Sequence, residues 1–292
     1  MHFHIVSPSS CVDMEQIELA QNHLKQLGHQ VTLSAHVAAQ YRYLAGSVEQ
    51  RIADLKQACS DPDIDAIWCG RGGTGASQLL PHLGPWMLNK PMIGYSDSTV
   101  LLNYVAQHGG QALHAPVFQE IASKNLTLGP LSTDALEVIR LLSPQVSRNH
   151  PYPLLPMNLQ ARQTESMAPM TILGGNLTVL CSLQGTPDAL KLSQPSLLML
   201  EDIGEAFYSL ERSLTQLLQS IDTTQLRAVV MGDFYECPQK NVPHALHEIF
   251  AEHLDPLQIP LYQCRSFGHG AANRPFWIGG LGCIEQLQLM ID

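Results

Sequence analysis

In its first half the sequence switches repeatedly between short apolar runs and segments with helical spacing, and this alternation narrows the folds open to it. Residues 3–7, 30–34, 64–69 and 92–95 read as buried strands. Residues 14–27, 48–58, 76–83 and 99–107 read as the helices between them; in the first, Ile17, Ala20, Leu24 and Leu27 recur at helical spacing and Gly28 is the stop. Parallel strands cannot be joined by a tight hairpin, so strand, helix, strand in this order calls for a parallel sheet with crossover helices. The first half is therefore expected to be α/β.

With 292 residues the chain has length for two domains. The pattern fails at Ser143-Pro144, His150-Pro151-Tyr152-Pro153 and Leu155-Pro156, and the polar stretch 160–166 follows. We place the division there, with a first domain over 1–143, a linker over 144–166 and a second domain over 167–292. The second domain reads as mixed and β-rich. It has strands at 196–200, at 228–231 and within 277–291, and a helix near 243–253. A further helix at 208–221 carries Leu210, Leu214, Leu217, Leu218 and Ile221 on one face. The sequence contains no internal repeat and no low-complexity segment.

Charge excludes some partners. Sixteen Lys and Arg stand against 26 Asp and Glu, a net charge of −10, and such a field repels phosphate backbones and anionic membrane surfaces. No nucleic acid and no membrane partner is expected. The sequence opens without a basic segment leading into a long apolar run, and it has no apolar stretch of about 18 residues. Neither an export signal nor a membrane span is expected, and the reading is a cytoplasmic protein. Seven widely spaced cysteines (Cys11, Cys59, Cys69, Cys181, Cys237, Cys264, Cys283) without any C-x-x-C pair read as reduced thiols acting as small apolar residues.

Several segments carry possible chemistry. Pro91-Met92-Ile93-Gly94-Tyr95-Ser96-Asp97-Ser98-Thr99 runs from a strand through a turn of small residues into a helix. A serine there would stand at the carboxyl edge of the sheet beside the positive end of a helix, a suitable place for a nucleophile. The other reading is that Ser96 or Asp97 caps the helix. Gly70-Arg71-Gly72-Gly73-Thr74-Gly75 lies at another strand-to-helix turn, where bare backbone N–H groups can hold an anion or an oxyanion, or where glycines serve a tight turn. Its spacing fits neither G-x-G-x-x-G nor a Walker loop, so no nucleotide cofactor is expected. In the second half, Glu201 and Asp202 end an apolar strand and His269 lies between glycines. His244, His247 and Glu248 give H-x-x-H-E, which matches neither H-E-x-x-H nor H-x-x-E-H, and they read with His253 as a solvated helix face. His2 and His4 read as structural, and no metal site is expected.

Taken in order, these segments resemble the LD-carboxypeptidases, serine peptidases with a Ser-Glu-His triad that trim muropeptides. Five blocks carry the resemblance: Arg71-Gly72-Gly73-Thr74-Gly75-Ala76-Ser77; Gly94-Tyr95-Ser96-Asp97; Leu173-Gly174-Gly175-Asn176-Leu177 through Gly185-Thr186-Pro187; Leu200-Glu201-Asp202-Ile203 through Leu210-Glu211-Arg212; and Phe267-Gly268-His269. The resemblance implies a Rossmann-like amino-terminal domain carrying the nucleophile Ser96. It implies a carboxyl-terminal domain carrying Glu201 and His269, with the active site at the interface between the two. It implies an oxyanion hole from the backbone N–H groups of Gly73 and Asp97, with Gly72 as the further candidate. Arg71 is a candidate for the substrate's terminal carboxylate on position alone, or else a brace for its own loop. Thr74 stands where the family usually has Tyr, which puts a ring that would line the substrate pocket in question.

The implied activity is release of the terminal D-Ala from murein tetrapeptides in peptidoglycan recycling, by a cofactor-free homodimer. Two alternatives stand beside it: a related serine hydrolase cleaving aminoacyl-nucleotide conjugates of the microcin type, and a catalytically silent protein that binds cell-wall peptides.

Overall fold

Strand β1 (His2–Val6) is buried along its whole length, as a strand covered on both faces must be. The computed structural model describes residues 1–126, 133–143 and 150–291. It divides into two units, Met1–Leu142 with Arg274–Phe276, and Ser143–Asn273 with Trp277–Asp292.

In the first unit β1 lies between β2 (Gln30–Leu33) and β3 (Ala66–Cys69), and β4 (Met92–Gly94) and β5 (Ala112–His114) continue the sheet beyond β3, all parallel. The strand order is Phe276–Ile278, β5, β4, β3, β1, β2. Helix α1 (Met14–Gln26) starts where the Asp13 carboxylate accepts from the N–H groups of Glu15 and Gln16, and it buries Ile17, Ala20 and Leu24. Leu27, expected on that face, is the helix C-cap and is exposed, because the chain has already begun to turn at Gly28, where φ is 85°. Helix α2 (Val48–Ser60) opens with a Ser47–Gln50 capping box. The helix expected at 76–83 is a 3-10 helix, Ala76–His82, with Pro81 inside it; proline cannot donate to an α-helical ladder. Helix α3 (Thr99–Gln107) has the expected bounds, and α4 (Thr133–Leu142) follows later. The turns after β1, β3 and β4 all leave the carboxyl edge of one parallel sheet, the edge on which α/β folds carry their sites.

The second unit is built on an eight-stranded mixed sheet. Its elements are β6 (His150–Pro153), β7 (Leu155–Pro156), α5 (Leu159–Gln163), β8 (Ser166–Asn176), α6 (Leu177–Ser182), β9 (Ser196–Ile203), α7 (Phe207–Ser220), β10 (Leu226–Tyr235), α8 (Leu246–Leu254) and β11 (Leu261–Gly268). After the strand Phe276–Ile278, β12, come β13 (Leu281–Glu285) and β14 (Gln288–Ile291). The order is β6-β14-β13-β8-β9-β10-β11-β7. The central strands β8 to β11 are parallel, and the flanking pairs are antiparallel.

The expected linker needs correction. Its residues 144–149 lie outside the described residues, but from 150 onward it forms β6, β7 and α5. Of the prolines that suggested a connection, Pro151, Pro153 and Pro156 sit on the two outermost strands, where a missing N–H costs the ladder nothing. No described helix is long and apolar enough to cross a membrane. All seven cysteines are free thiols, and Cys59, Cys69, Cys181 and Cys264 are buried; Cys11, Cys237 and Cys283 are only partly so. His2 and His4 both bond to the Thr32 hydroxyl at 2.8 Å, within the sheet.

Candidate active site

Ser96 follows β4 on a turn with unusual backbone. Tyr95 is extended, Ser96 has φ 60°, and a single 3-10 turn, Ser96–Ser98, leads into α3. A non-glycine residue in the left-handed region is strained, and such strain at a strand-to-helix turn is how a serine hydroxyl is held out at the edge of a sheet. Gly94 makes the tight approach possible, since a Cβ there would stand 3.0 Å from the Ser98 Cβ and 3.1 Å from the Cys69 Cβ. The Tyr95 phenol donates to Glu120 and anchors the residue before the serine. Asp97 does not cap α3: its buried carboxylate accepts from the N–H of Ala76 at 2.8 Å. Burial pushes that carboxyl above the usual carboxylate range, against hydrogen bonds and the nearby Arg51 charge, which lower it.

The glycine loop packs directly on this turn. A Cβ on Gly72 would lie 2.7 Å from the Ser96 Cβ and 3.4 Å from the Asp97 amide nitrogen. Gly73 has φ 99°, and a Cβ on it would strike the Ser10 side chain. The Ser10 segment holds the loop in return: the Ser10 N–H donates to Gly72 O at 3.2 Å, and the Thr74 N–H donates to Ser10 Oγ at 3.1 Å. Among the described residues no protein group accepts from the N–H of Gly72 or Gly73. Bare, preorganised N–H groups next to a serine are the elements of an oxyanion hole. Arg71 is exposed, and its Nη1 donates to Cys11 O at 2.8 Å, which ties the loop to the same segment. Thr74 is exposed beside it.

In the second unit, Glu201 near the end of β9 and His269 just after β11 meet. The His269 Nδ1 lies 2.5 Å from Glu201 Oε2, with the carboxylate side chain fully buried and the imidazole 10% exposed. Burial pushes the Glu201 carboxyl above the usual range, and the His269 charge and hydrogen bond oppose that rise. The flanking glycines allow close passage over β10: a Cβ on Gly268 would stand 2.7 Å from Asp233 O, and one on Gly270 would strike the Asp233 carboxylate. Such a pair fixes the tautomer and orientation of an imidazole.

The neighbouring carboxylate has a different task. Asp202 accepts from Asn176 Nδ2 at 3.0 Å, from the Thr178 N–H at 2.9 Å and from the Thr178 hydroxyl at 2.8 Å, so it holds the start of α6. His244 is exposed, and His253 pairs with Glu211 at 3.2 Å. Among the described residues no group of three or more His, Cys, Asp or Glu could hold a metal ion.

The structure thus gathers Arg71, Gly72, Gly73, Thr74, Ser96 and Asp97 in the first unit, and Glu201 with His269 in the second. Sequence reasoning missed Ser10, Asn176 and the fully buried Arg51. Arg51 had a readable signal: it lies on the face of α2 with Leu55 and Ala58, at the spacing of a buried stripe.

Residues 3–115 match the LD-carboxypeptidase N-terminal domain, and residues 171–284 match the LD-carboxypeptidase C-terminal domain. The chain belongs to the LD-carboxypeptidase family. This LD-carboxypeptidase family member is 41% identical over 291 residues to the murein tetrapeptide carboxypeptidase of Pseudomonas aeruginosa, covering 96% of this chain and 92% of that one. Its fold is similar to the crystal structure of muramoyltetrapeptide carboxypeptidase from Oxalobacter formigenes, with TM-score 0.82, 24% identity and coverage of 100% and 98% of the two chains. It is also similar to the microcin C7 self-immunity protein MccF in an apo state, with TM-score 0.86, 18% identity and coverage of 99% and 95%. At those identities the two structures bear on the LD-carboxypeptidase fold alone.

Proposed function

We propose that this protein is a serine-type LD-carboxypeptidase that releases the terminal D-Ala from murein tetrapeptides by hydrolysing the bond between an L-centre and the D-residue. The observation that carries the chemistry is the buried hydrogen bond between His269 Nδ1 and Glu201. It has the form of the base-and-orienter half of a nucleophilic triad. The substrate class is supported by the identity to the Pseudomonas aeruginosa enzyme across nearly the whole chain.

In this reading Ser96 is the nucleophile. His269, through Nε2, takes the hydroxyl proton as Oγ attacks the scissile carbonyl, and Glu201 stabilises the imidazolium that forms. The N–H groups of Gly73 and Asp97 stabilise the tetrahedral oxyanion, with Gly72 beside them. His269 then gives its proton to the departing amine of D-Ala, and water repeats the sequence on the acyl-enzyme. Arg71, whose Nη1 already serves Cys11 O, is assigned to the substrate's terminal carboxylate, and Thr74 of the same loop to substrate binding. The seven free thiols support a cytoplasmic location, where disulfides are rare. The homodimer is part of the same proposal and rests on the family resemblance.

Incubation of a murein tetrapeptide with the purified protein, read by mass spectrometry with Ser96→Ala and chelator arms, tests the reading. Loss of one Ala with wild type only, unaffected by chelator, is the expected result. An unchanged tetrapeptide overturns the assignment, and cleavage of an aminoacyl-nucleotide conjugate in its place would put the protein with the microcin-type hydrolases. Sedimentation equilibrium tests the dimer.

A further inference from the structure

Arg51 is one of the largest fully buried side chains of the protein, yet among the described residues no carboxylate pairs with it. Its Nη1 donates to Pro8 O at 2.8 Å and to Gly75 O at 2.9 Å, its Nη2 donates to Gln78 Oε1 at 2.7 Å, and its Nε donates to Ser47 O at 3.4 Å. Burying a cation is costly, and a fold that needed only packing at this point would gain from an apolar residue. Four hydrogen bonds that tie its own helix to the segment after β1 and to the 75–78 stretch indicate another purpose.

The Gly75 carbonyl and the Ala76 N–H belong to one peptide group. Arg51 grips its oxygen, and the Asp97 carboxylate accepts from its N–H at 2.8 Å. A buried cation and a buried anion thus stand at opposite ends of a single peptide dipole, each at the end it favours. Asp97 is also the residue after Ser96, and Gly75 ends the loop that packs on Ser96. The loop needs such a restraint, because Gly73 and Gly75 have φ 99° and 117° and glycine peptide groups reorient easily. Gly75 is closed in further by its neighbours: a Cβ there would stand 2.6 Å from Leu44 Cδ2 and 2.9 Å from Arg51 Nη1.

We propose that Arg51 is a positioning residue for the hydrolysis, acting with Asp97 to clamp the 75–76 peptide group and so to set the glycine loop against the serine turn. The proposal rests on the reading of Ser96 as nucleophile with oxyanion donors in that loop. Arginine is suited to the role because its planar fork reaches two carbonyls from different loops at once, and a lysine ammonium on a flexible stem cannot hold both in fixed directions.

The test compares wild type, Arg51→Met and Arg51→Lys. Two readouts are kcat and KM on a murein tetrapeptide. The third is the second-order rate of Ser96 labelling by a small fluorophosphonate, in which Oγ forms a bond to phosphorus, fluoride leaves and the phosphoryl oxygen takes the oxyanion position. Thermal melts establish that each variant is folded. A displaced oxyanion donor costs up to about 10²-fold or more, so Arg51→Met is expected to lose about 10- to 100-fold in both kcat and labelling rate. KM should stay within about threefold, and Arg51→Lys should lose less. Labelling and kcat within twofold of wild type in a folded variant overturn the clamp, as does a rise in KM at constant kcat. Should Arg51→Met fail to fold, Arg51→Lys decides by the same criteria. A wild type labelled at Ser96 that leaves the tetrapeptide intact overturns the substrate assignment only, and the labelling rates still judge the clamp. A wild type that neither labels nor cleaves overturns both.

Discussion

Gly72 and Ser96 are so close that a methyl group on the glycine would stand 2.7 Å from the serine Cβ and 2.8 Å from its Oγ. Their contact sets the distance between the glycine loop and the serine hydroxyl. Gly72→Ala must push the two apart, because the atoms it would meet are the base of the serine side chain and its hydroxyl oxygen, and neither can yield without moving the turn. We expect a loss of about 10²-fold or more in kcat with a smaller change in KM, measured as alanine release from a murein tetrapeptide. Unchanged kcat would show that the loop tolerates displacement.

Ser96 holds a left-handed backbone that favours glycine. Ser96→Ala and Ser96→Gly should both abolish turnover, but their stabilities should fall in an unusual order. In an ordinary loop alanine is more stabilising than glycine; at φ 60° the left-handed penalty of about 1–2 kcal/mol reverses this. The glycine variant should therefore melt at or above the alanine variant in paired thermal scans.

Glu201 couples activity and stability to pH with opposite signs. Its ionised form is the one that holds the imidazole, and burial raises its carboxyl above the usual value of 4.5. The acid limb of kcat/KM should therefore lie above 4.5, and Glu201→Gln should lower kcat by about 10³- to 10⁴-fold. Stability runs the other way. A carboxyl whose folded pKa exceeds its unfolded pKa contributes stability in full below the unfolded value and loses it as pH rises through the folded value. The melting temperature of Glu201→Gln relative to wild type should thus climb from acid toward neutral pH. A difference that is flat or falling across that window would refute the assigned direction.

Asp202 is the contrasting case, one residue along the same strand. Its oxygens serve Asn176, Thr178 and the backbone of Ile203. Asp202→Ala strands the buried Asn176 amide and the half-buried Thr178 donors and should cost about 1–3 kcal/mol of stability, read by chemical denaturation. The kcat of the folded fraction should fall far less than in Glu201→Gln. Equal losses in the two variants would mean that both carboxylates act on the imidazole.

The sequence was readable where periodicity and burial coincide. Helix α3 was located with its bounds because its apolar spacing is regular and Gly94 to Ser98 mark its start. Strand β8, central to the second sheet, escaped notice because Pro169, Gly174 and Gly175 interrupt its pattern; a Cβ on Gly174 would collide with the Met199 backbone, so glycine there serves strand packing and no turn. The candidate residues came from motif order and resemblance, since nothing local distinguishes Glu201 from Asp202. Only long-range pairing separates them, through His269, 68 positions away. The clamp through Arg51 was hidden for a related reason: the stripe on α2 marks Arg51 as buried, but its acceptors Pro8 O, Gly75 O and Gln78 Oε1, 24 to 43 positions away, come beside it only in the fold.

The six-stranded sheet ends in a strand that the ribosome delivers late. Strand β5 is complete at His114, but its outer neighbour begins only at Phe276. At about 5–20 residues per second of synthesis, the nascent sheet would wait on the order of ten to thirty seconds with an unpaired edge. An open edge is a template for pairing with another chain, so the emerging polypeptide passes through a window in which chaperone occupancy, and not native stability, governs its yield. A fragment ending near residue 142 would remain in that window permanently.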